Sequence, residues 1–219
     1  MNQFIHVAKI TIPLLWEGFQ VTFIVSVLSI IFAIILGALL CSMCISEHKV
    51  LKGIGRAYIK IFRCTPFMVQ VYLIYYGLPE FGINVSAFQT GVIILSMYTA
   101  AYVSVILESG IKAIPKGQSE AAYAMGMSKR TTLLRIIFPQ TVSIIIPALT
   151  GQFIQTVKDS SILSVITVVE MTMMTKEAIG LTFDSLNVYI LAALFYWVIN
   201  LIIELGSKGI EGRYKKHLI

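Results

Sequence analysis

Few side chains in this sequence could do chemistry, and most of those sit inside apolar runs. Gln70, Tyr98, Gln152, Gln155, Lys158 and Asp159 interrupt segments that are otherwise hydrocarbon. An ionised group at membrane depth costs about 2.5 to 3.5 kcal/mol on insertion scales, so Lys158 and Asp159 must pair, reach an interface or face water. Their adjacency is read as a mutual pair at the outer end of a helix. Gln70 and Gln152 suit hydrogen bonds between helices. No hydrolytic constellation accompanies these groups: His6, His48 and His217 fall in three separate regions, and neither HExxH nor GxSxG occurs. Cys41 and Cys44 form a CxxC with no neighbouring His and no second pair, which reads as helix packing, and with Cys64 they give no disulfide framework. No metal site is expected. The sequence also lacks a G-x4-GK-[ST] phosphate loop, so it carries no ATPase of its own.

The elements that must hold these groups are apolar helices. Of the 219 residues, 57% are hydrophobic and only 13% charged, which excludes an ordinary soluble domain. There is no Gly/Ser-rich linker, low-complexity tract or convincing internal repeat, so residues 1–219 read as one transmembrane domain. Charge-free stretches lie between Glu17 and Glu47, Arg63 and Glu80, Glu80 and Glu108, Arg135 and Lys158, and Asp184 and Glu204. A spanning helix needs about 20 residues, so five spans are expected, near 19–45, 64–80, 87–108, 138–158 and 186–205. The first run, from about Val21, has no small-residue cleavage site and is expected to be retained. Thr65 is read as the cap of the second span, with Pro66 at its first helical position and the preceding 51–62 as an amphipathic interfacial helix. Pro147, Gly151 and the polar residues up to Ser161 make the fourth span the least regular, expected to line a cavity or to re-enter. Tyr75 and Tyr76 read as aromatic anchors at the outer interface.

The net charge of +6 is scattered between apolar segments rather than gathered on one stripe, which argues against a nucleic-acid partner. It sets orientation instead. Lys49, Lys52, Arg56, Lys60 and Arg63 follow span one, Lys112, Lys116, Lys129, Arg130 and Arg135 follow span three, and Lys208, Arg213, Lys215 and Lys216 follow span five. The alternate connections hold only Lys9 and Lys176. The N-terminus is therefore expected outside and the C-terminus in the cytosol.

This orientation places KGQSEAAYAMGMSKRTTLLRIIFPQ, residues 116–140, in the cytosolic connection 112–137 and the start of span four. Ser119 is expected to cap a short alanine-rich helix starting at Glu120, with Gly126 as the left-handed residue that ends it. Ser128 is expected to cap a second helix, and Pro139 to mark the turn into span four. A small-residue helix lying along the membrane suits close approach to another protein's groove; a plain interfacial connector is the other reading of the same residues.

The spacing Glu120-Ala121-Ala122, three residues, Gly126, nine residues, Ile136, one residue, Phe138-Pro139 resembles the EAA motif of ATP-binding-cassette importer permeases, with Phe138 in place of Leu. The run FRCTPFMVQVYLIYYGLP at 62–79, together with GIKAIPKGQSEAA, FPQ and KDSSILSVI, is similar to the polar amino-acid permease branch, of histidine, glutamate, glutamine and arginine type. The likeness covers about residues 14–212. Two departures stand near the end of span three: where that branch has Ser-Glu-Ile-x-Arg-Gly-Gly, this sequence has Val105 for the acid and Glu108 for the arginine. Cys64 also replaces a glycine before Thr65-Pro66.

The resemblance implies an all-α integral membrane protein that is not an enzyme but the permease subunit of an importer in a bacterial inner membrane. It implies that a polar amino acid arrives on an extracytoplasmic binding protein, and that the permease works paired with a second permease chain, identical or not. Two separate ATPase subunits would carry ATP and Mg, leaving no cofactor on this chain. Glu120, Ala121, Ala122, Gly126, Ile136 and Pro139 would couple to the ATPases. As the polar residues of otherwise apolar spans, Gln70, Tyr98, Gln152, Gln155, Lys158 and Asp159 are themselves read as candidates to line the substrate path within the lipid-embedded bundle. A membrane scaffold or sensor using the same docking helix, and a membrane-embedded enzyme, are the rival readings.

Overall fold

The computed structural model describes residues 2–215 and is helical almost throughout. Lys216 and His217 lie outside the described residues. The first helix, α1, runs unbroken from Asn2 to Ile45 with Pro13 inside it, so it begins well before the apolar run at Val21. At 1.5 Å per residue its 44 residues extend about 66 Å, roughly twice a bilayer's hydrocarbon core. Helices α2 (Lys49–Cys64) and α3 (Phe67–Glu80) follow, then α4 (Ala87–Ala113), α5 (Lys116–Ala124) and α6 (Lys129–Thr132). A π segment (Leu133–Ile137) leads into α7 (Phe138–Asp159), a 3₁₀ segment (Ser160–Ile166) follows it, and α8 (Met171–Thr182) and α9 (Ser185–Lys215) complete the order.

Among the described residues, four helical stretches are long and apolar enough to cross a membrane: Gln3–Ile45, Ala87–Ala113, Lys129–Ile166 and Ser185–Gly209. The remaining expected span, at 64–80, contains α3, whose 14 residues reach only about 21 Å.

Helix α1 is the spine against which the rest packs, with its most extensive contact along α4. Near its N-terminal end Val7 and Leu15 meet Met171 of α8 and Val188 and Leu191 of α9. In its middle Val25 joins Phe67 and Val71 of α3, Ile94 and Leu95 of α4, and Leu163 and Ile166 of the 3₁₀ segment. Farther along, Ala33 and Leu40 meet Ala100. Gly37 lets the two long helices approach, since a Cβ there would stand 2.7 Å from Val103 Cγ1. The buried thiols of Cys41 and Cys44 lie in this packing; Cys44 Sγ would be 3.0 Å from a Cβ at Gly55 of α2.

Local signals explain the starts, and several differ from expectation. Ser86 opens α4 with a capping box, accepting from Gln89 N at 3.2 Å while Gln89 Oε1 accepts from Ser86 N at 3.0 Å. Thr65 does not cap α3. It ends α2, its hydroxyl donating to Ile61 O at 2.8 Å, and Pro66 holds the extended N-cap position with Phe67 the first helical residue. Ser119 is likewise no cap: α5 begins a turn earlier, at Lys116 behind Pro115, because proline has no N–H to satisfy and its fixed φ suits a helix entrance. Ser128 does cap α6, accepting from Thr131 N at 3.2 Å. No turn occurs at Pro139. Residues 129–166 are continuously helical, because the π segment widens the helix just ahead of the proline ring and Phe138 N donates five residues back to Leu133 O. Pro147 and Gly151 do not break α7 either; the irregular backbone comes after Asp159, ending at Thr167 in the left-handed region.

Candidate functional site

Two groups of residues carry the features singled out above, one at the α5 end of the bundle and one where α4 meets α7. In α5, Ala122 is buried while Glu120, Ala121 and Gly126 are exposed, so the small-residue face points outward. The helix closes in a Schellman arrangement: Met127 N donates to Ala122 O at 3.0 Å and Gly126 N to Tyr123 O at 2.9 Å, with Gly126 at φ +79°. A side chain with a Cβ is disfavoured there. Met125, 77% exposed, and half-exposed Tyr123 add apolar surface to the same end. Ile136 lies in the π segment and Pro139 is exposed at the start of α7. Gln140, one residue on, donates through Nε2 to Ile136 O at 2.9 Å and to Gln118 Oε1 of α5 at 3.5 Å, which ties the two halves of the motif together.

The polar residues of the apolar segments separate. Tyr98 Oη and Tyr102 Oη are 3.2 Å apart, and the Tyr98 ring lies 4.5 Å from that of Phe67. Asp159 and Arg63 are both within electrostatic reach of Tyr98, and the Arg63 guanidinium stands 5.2 Å over the Tyr102 ring. Asp159 accepts from Gln155 Nε2 at 2.8 Å, one helical turn away. The expected Lys158–Asp159 pair is absent from the ion pairs of the described residues, because consecutive residues on a helix point about 100° apart. Lys158 is exposed on another side of α7 and Gln152 is half-buried. Gln70 is buried and turned into the α2–α3 joint, where its Nε2 donates to Phe62 O at 3.0 Å, Thr65 O at 3.1 Å and Thr65 Oγ1 at 2.6 Å. Its Oε1 has no hydrogen-bond partner. The structure thus brings Tyr98, Gln155 and Asp159 together, adds Tyr102 and Arg63, keeps Lys158 within electrostatic reach of Asp159 without a close ion pair, and sets Gln70 and Gln152 apart. Tyr102, one turn from Tyr98, was visible as an i, i+4 neighbour; Arg63, on another helix, was not.

Two further acids have defined roles. Glu108, one of the departures noted above, is buried and accepts from Arg56 Nη2 at 2.5 Å and Lys112 Nζ at 2.7 Å, joining α2 to α4. Glu170 is fully buried and caps α8, accepting from Thr172 N at 2.9 Å, Met173 N at 2.8 Å and Tyr196 Oη at 3.1 Å. Burial raises its carboxyl from the ordinary value near 4.5 to about 7, against the hydrogen bonds that favour the ionised form. Among the described residues no cluster of three His, Cys, Asp or Glu side chains could hold a metal.

Apolar helices of this length, with a short exposed helix at one end, define a multi-span helical membrane protein. Residues 29–216 match the family described as binding-protein-dependent transport system inner membrane component, and the chain belongs to it. It is 34% identical over 200 residues to the probable glutamine ABC transporter permease protein of Bacillus subtilis (strain 168), covering 91% of this chain and 93% of that one. It is 35% identical over 207 residues to the arginine transport system permease protein of the same organism, covering 94% of each. The crystal structure of an amino acid ABC transporter with histidines superposes with a TM-score of 0.89 at 34% identity, covering 96% of this chain and 98% of that one. The chain is a permease subunit of an ATP-binding-cassette importer, a transport subunit rather than an enzyme, with the ATPase on separate chains.

Proposed function

We propose that this permease carries a polar amino acid inward across a bacterial inner membrane, received from an extracytoplasmic binding protein and driven by two ATPase subunits docked in the cytosol. Five spans enter the membrane, with α3 as the short one, the N-terminus outside and α5 on the cytosolic side as the coupling helix. The exposed α5 carries this reading: Glu120 and Ala121 face outward, Gly126 closes the helix, and Ile136 and Pro139 follow at the motif's spacing. Two copies of α5, from a pair of permease chains, would meet two ATPases and leave a path between the chains. Nucleotide-driven closure of the ATPases then shifts the pair between outward-open and inward-open states.

Tyr98, Gln155 and Asp159 are the strongest path residues, because their polar atoms converge where α4 meets α7 and a carboxylate there can receive an ammonium group. Gln152 and Lys158 line the path at other positions along α7, and Gln70 sets the α2–α3 joint beside it. The glutamine and arginine relatives leave the side chain of the cargo open.

Reconstitution into proteoliposomes with the ATPase and binding protein tests this reading over a panel of amino acids. Loaded binding protein is expected to stimulate ATP hydrolysis and uptake together. Glu120→Lys is expected to leave insertion unchanged and to abolish that stimulation. Hydrolysis without uptake for every amino acid would make the chain a sensor instead.

A further inference from the structure

A cavity of about 350 Å³ opens between the end of α4, the inner side of α5 and the α6–π segment. Its walls divide by chemistry. Ile111, Ile114 and Ile137 supply apolar surface, and Lys116 and Lys129 stand at the wall from two different helices. Both lysines are exposed, and neither has an ion-pair partner among the described residues. Lys112 also lines the cavity but is engaged by Glu108, and no carboxylate is among the lining residues. Thr132, in the same wall, is 1% exposed, and its Oγ1 has no hydrogen-bond partner. A buried hydroxyl left without a partner is costly, so an acceptor entering the cavity would complete this wall.

The surroundings indicate what completes it. Leu133, Leu134 and Phe138 are exposed next to the cavity, on the helix that runs on into the apolar stretch ending at Ile166. Unpaired ammonium groups therefore stand beside exposed hydrocarbon, the arrangement that receives an anionic headgroup at a membrane boundary. We propose that this cavity binds the phosphate of an anionic membrane lipid, held by Lys116 and Lys129 with the Thr132 hydroxyl as a donor, while the lipid's glycerol and first methylenes lie on the isoleucine surface. Such a lipid would brace α5 against the ends of α4 and α7. The inference goes beyond the transport reading, and its test needs neither uptake nor the docking assignment.

The test uses the purified full-length chain in a neutral detergent, with native mass spectrometry and thermal unfolding as readouts. Phosphatidylglycerol is expected to be retained and to raise Tm, with phosphatidylcholine giving neither effect and glycerol 3-phosphate little. Added salt is expected to weaken the phosphatidylglycerol effect on the unaltered chain, since screening acts on exposed lysines. Lys116→Gln with Lys129→Gln is expected to weaken binding about twenty-five-fold, roughly fivefold for each lysine. Lys52→Gln with Lys60→Gln, on α2 and outside the cavity, should leave it unchanged. Equal retention of both lipids, insensitivity to salt, or equal loss in the two double variants would overturn the proposal. An effect from glycerol 3-phosphate matching that of the lipid would overturn the lipid assignment and reassign the site to a soluble phosphate.

Discussion

At the residue scale, the acids of this chain show how partners decide what a charge does. Asp159 lies beside Lys158 in sequence but is held by Gln155, while Glu108 draws on Arg56, 52 residues away. Glu170 offers a measurable consequence. Its carboxyl titrates near 7 in the fold and near 4.5 in the unfolded chain, so between those values the folded state binds the extra proton. Its contribution to stability is then full below about 4.5 and lost as pH rises through about 7. Thermal unfolding of the detergent-solubilised protein should show Tm falling over that window, and Glu170→Gln should flatten the profile while keeping an acceptor for the α8 N–H groups. An unchanged slope in the variant would assign the pH dependence to another group.

At the element scale, α5 depends on one backbone conformation. Gly126 at φ +79° lets Met127 N and Gly126 N reach back to the last carbonyls of the helix, and a β-branched side chain there opposes that geometry by about 1 to 2 kcal/mol. The strain is local to an exposed turn with nothing within 4 Å of an added Cβ, so the bundle itself should be untouched. Gly126→Val is expected to insert normally and to lose most ATP-driven uptake, and Gly126→Asn, which tolerates the left-handed region, to retain much of it. Full uptake by the valine variant would remove the coupling role from this turn. The π segment at 133–137 is the other local device. It carries the helix past Pro139 without interruption, so α6 and α7 form one continuous helical stretch linking the α5 end to the polar cluster at Asp159.

At the scale of the whole molecule, the number of crossings decides which end of the bundle faces the ATPase. Five spans starting from an outside N-terminus, as proposed, would place the α3–α4 connection and the α8–α9 connection outside and α5 inside. If α3 does not cross, α5 and the α3–α4 connection fall on opposite sides from that arrangement. Single cysteines at Ile83, Met125 and Phe183, all exposed, in a chain with Cys41, Cys44 and Cys64 replaced by serine, separate the cases. An impermeant thiol reagent applied from outside is expected to label Ile83→Cys and Phe183→Cys at once, and Met125→Cys only after permeabilisation. Labelling of Met125→Cys in intact cells would overturn the five-span reading and the docking of α5.

What was legible in the sequence was what short-range chemistry dictates. Apolar runs of membrane length, the Ser128 cap, the left-handed Gly126 and the spacing from Glu120 to Pro139 each depend on residues within a few turns of one another. Helix starts at Lys116 and Phe67 are not legible because a proline can stand outside a helix or in its first turn, and packing selects between them. The start of α1 was hidden because Val7 and Leu15 are helical against α8 and α9, partners more than 150 residues away in sequence. The convergence of Tyr98 with Asp159, the Arg56–Glu108 bond and the burial of Glu170 belong to the tertiary structure alone. Each joins side chains from separate helices, and only the packed bundle sets which faces meet.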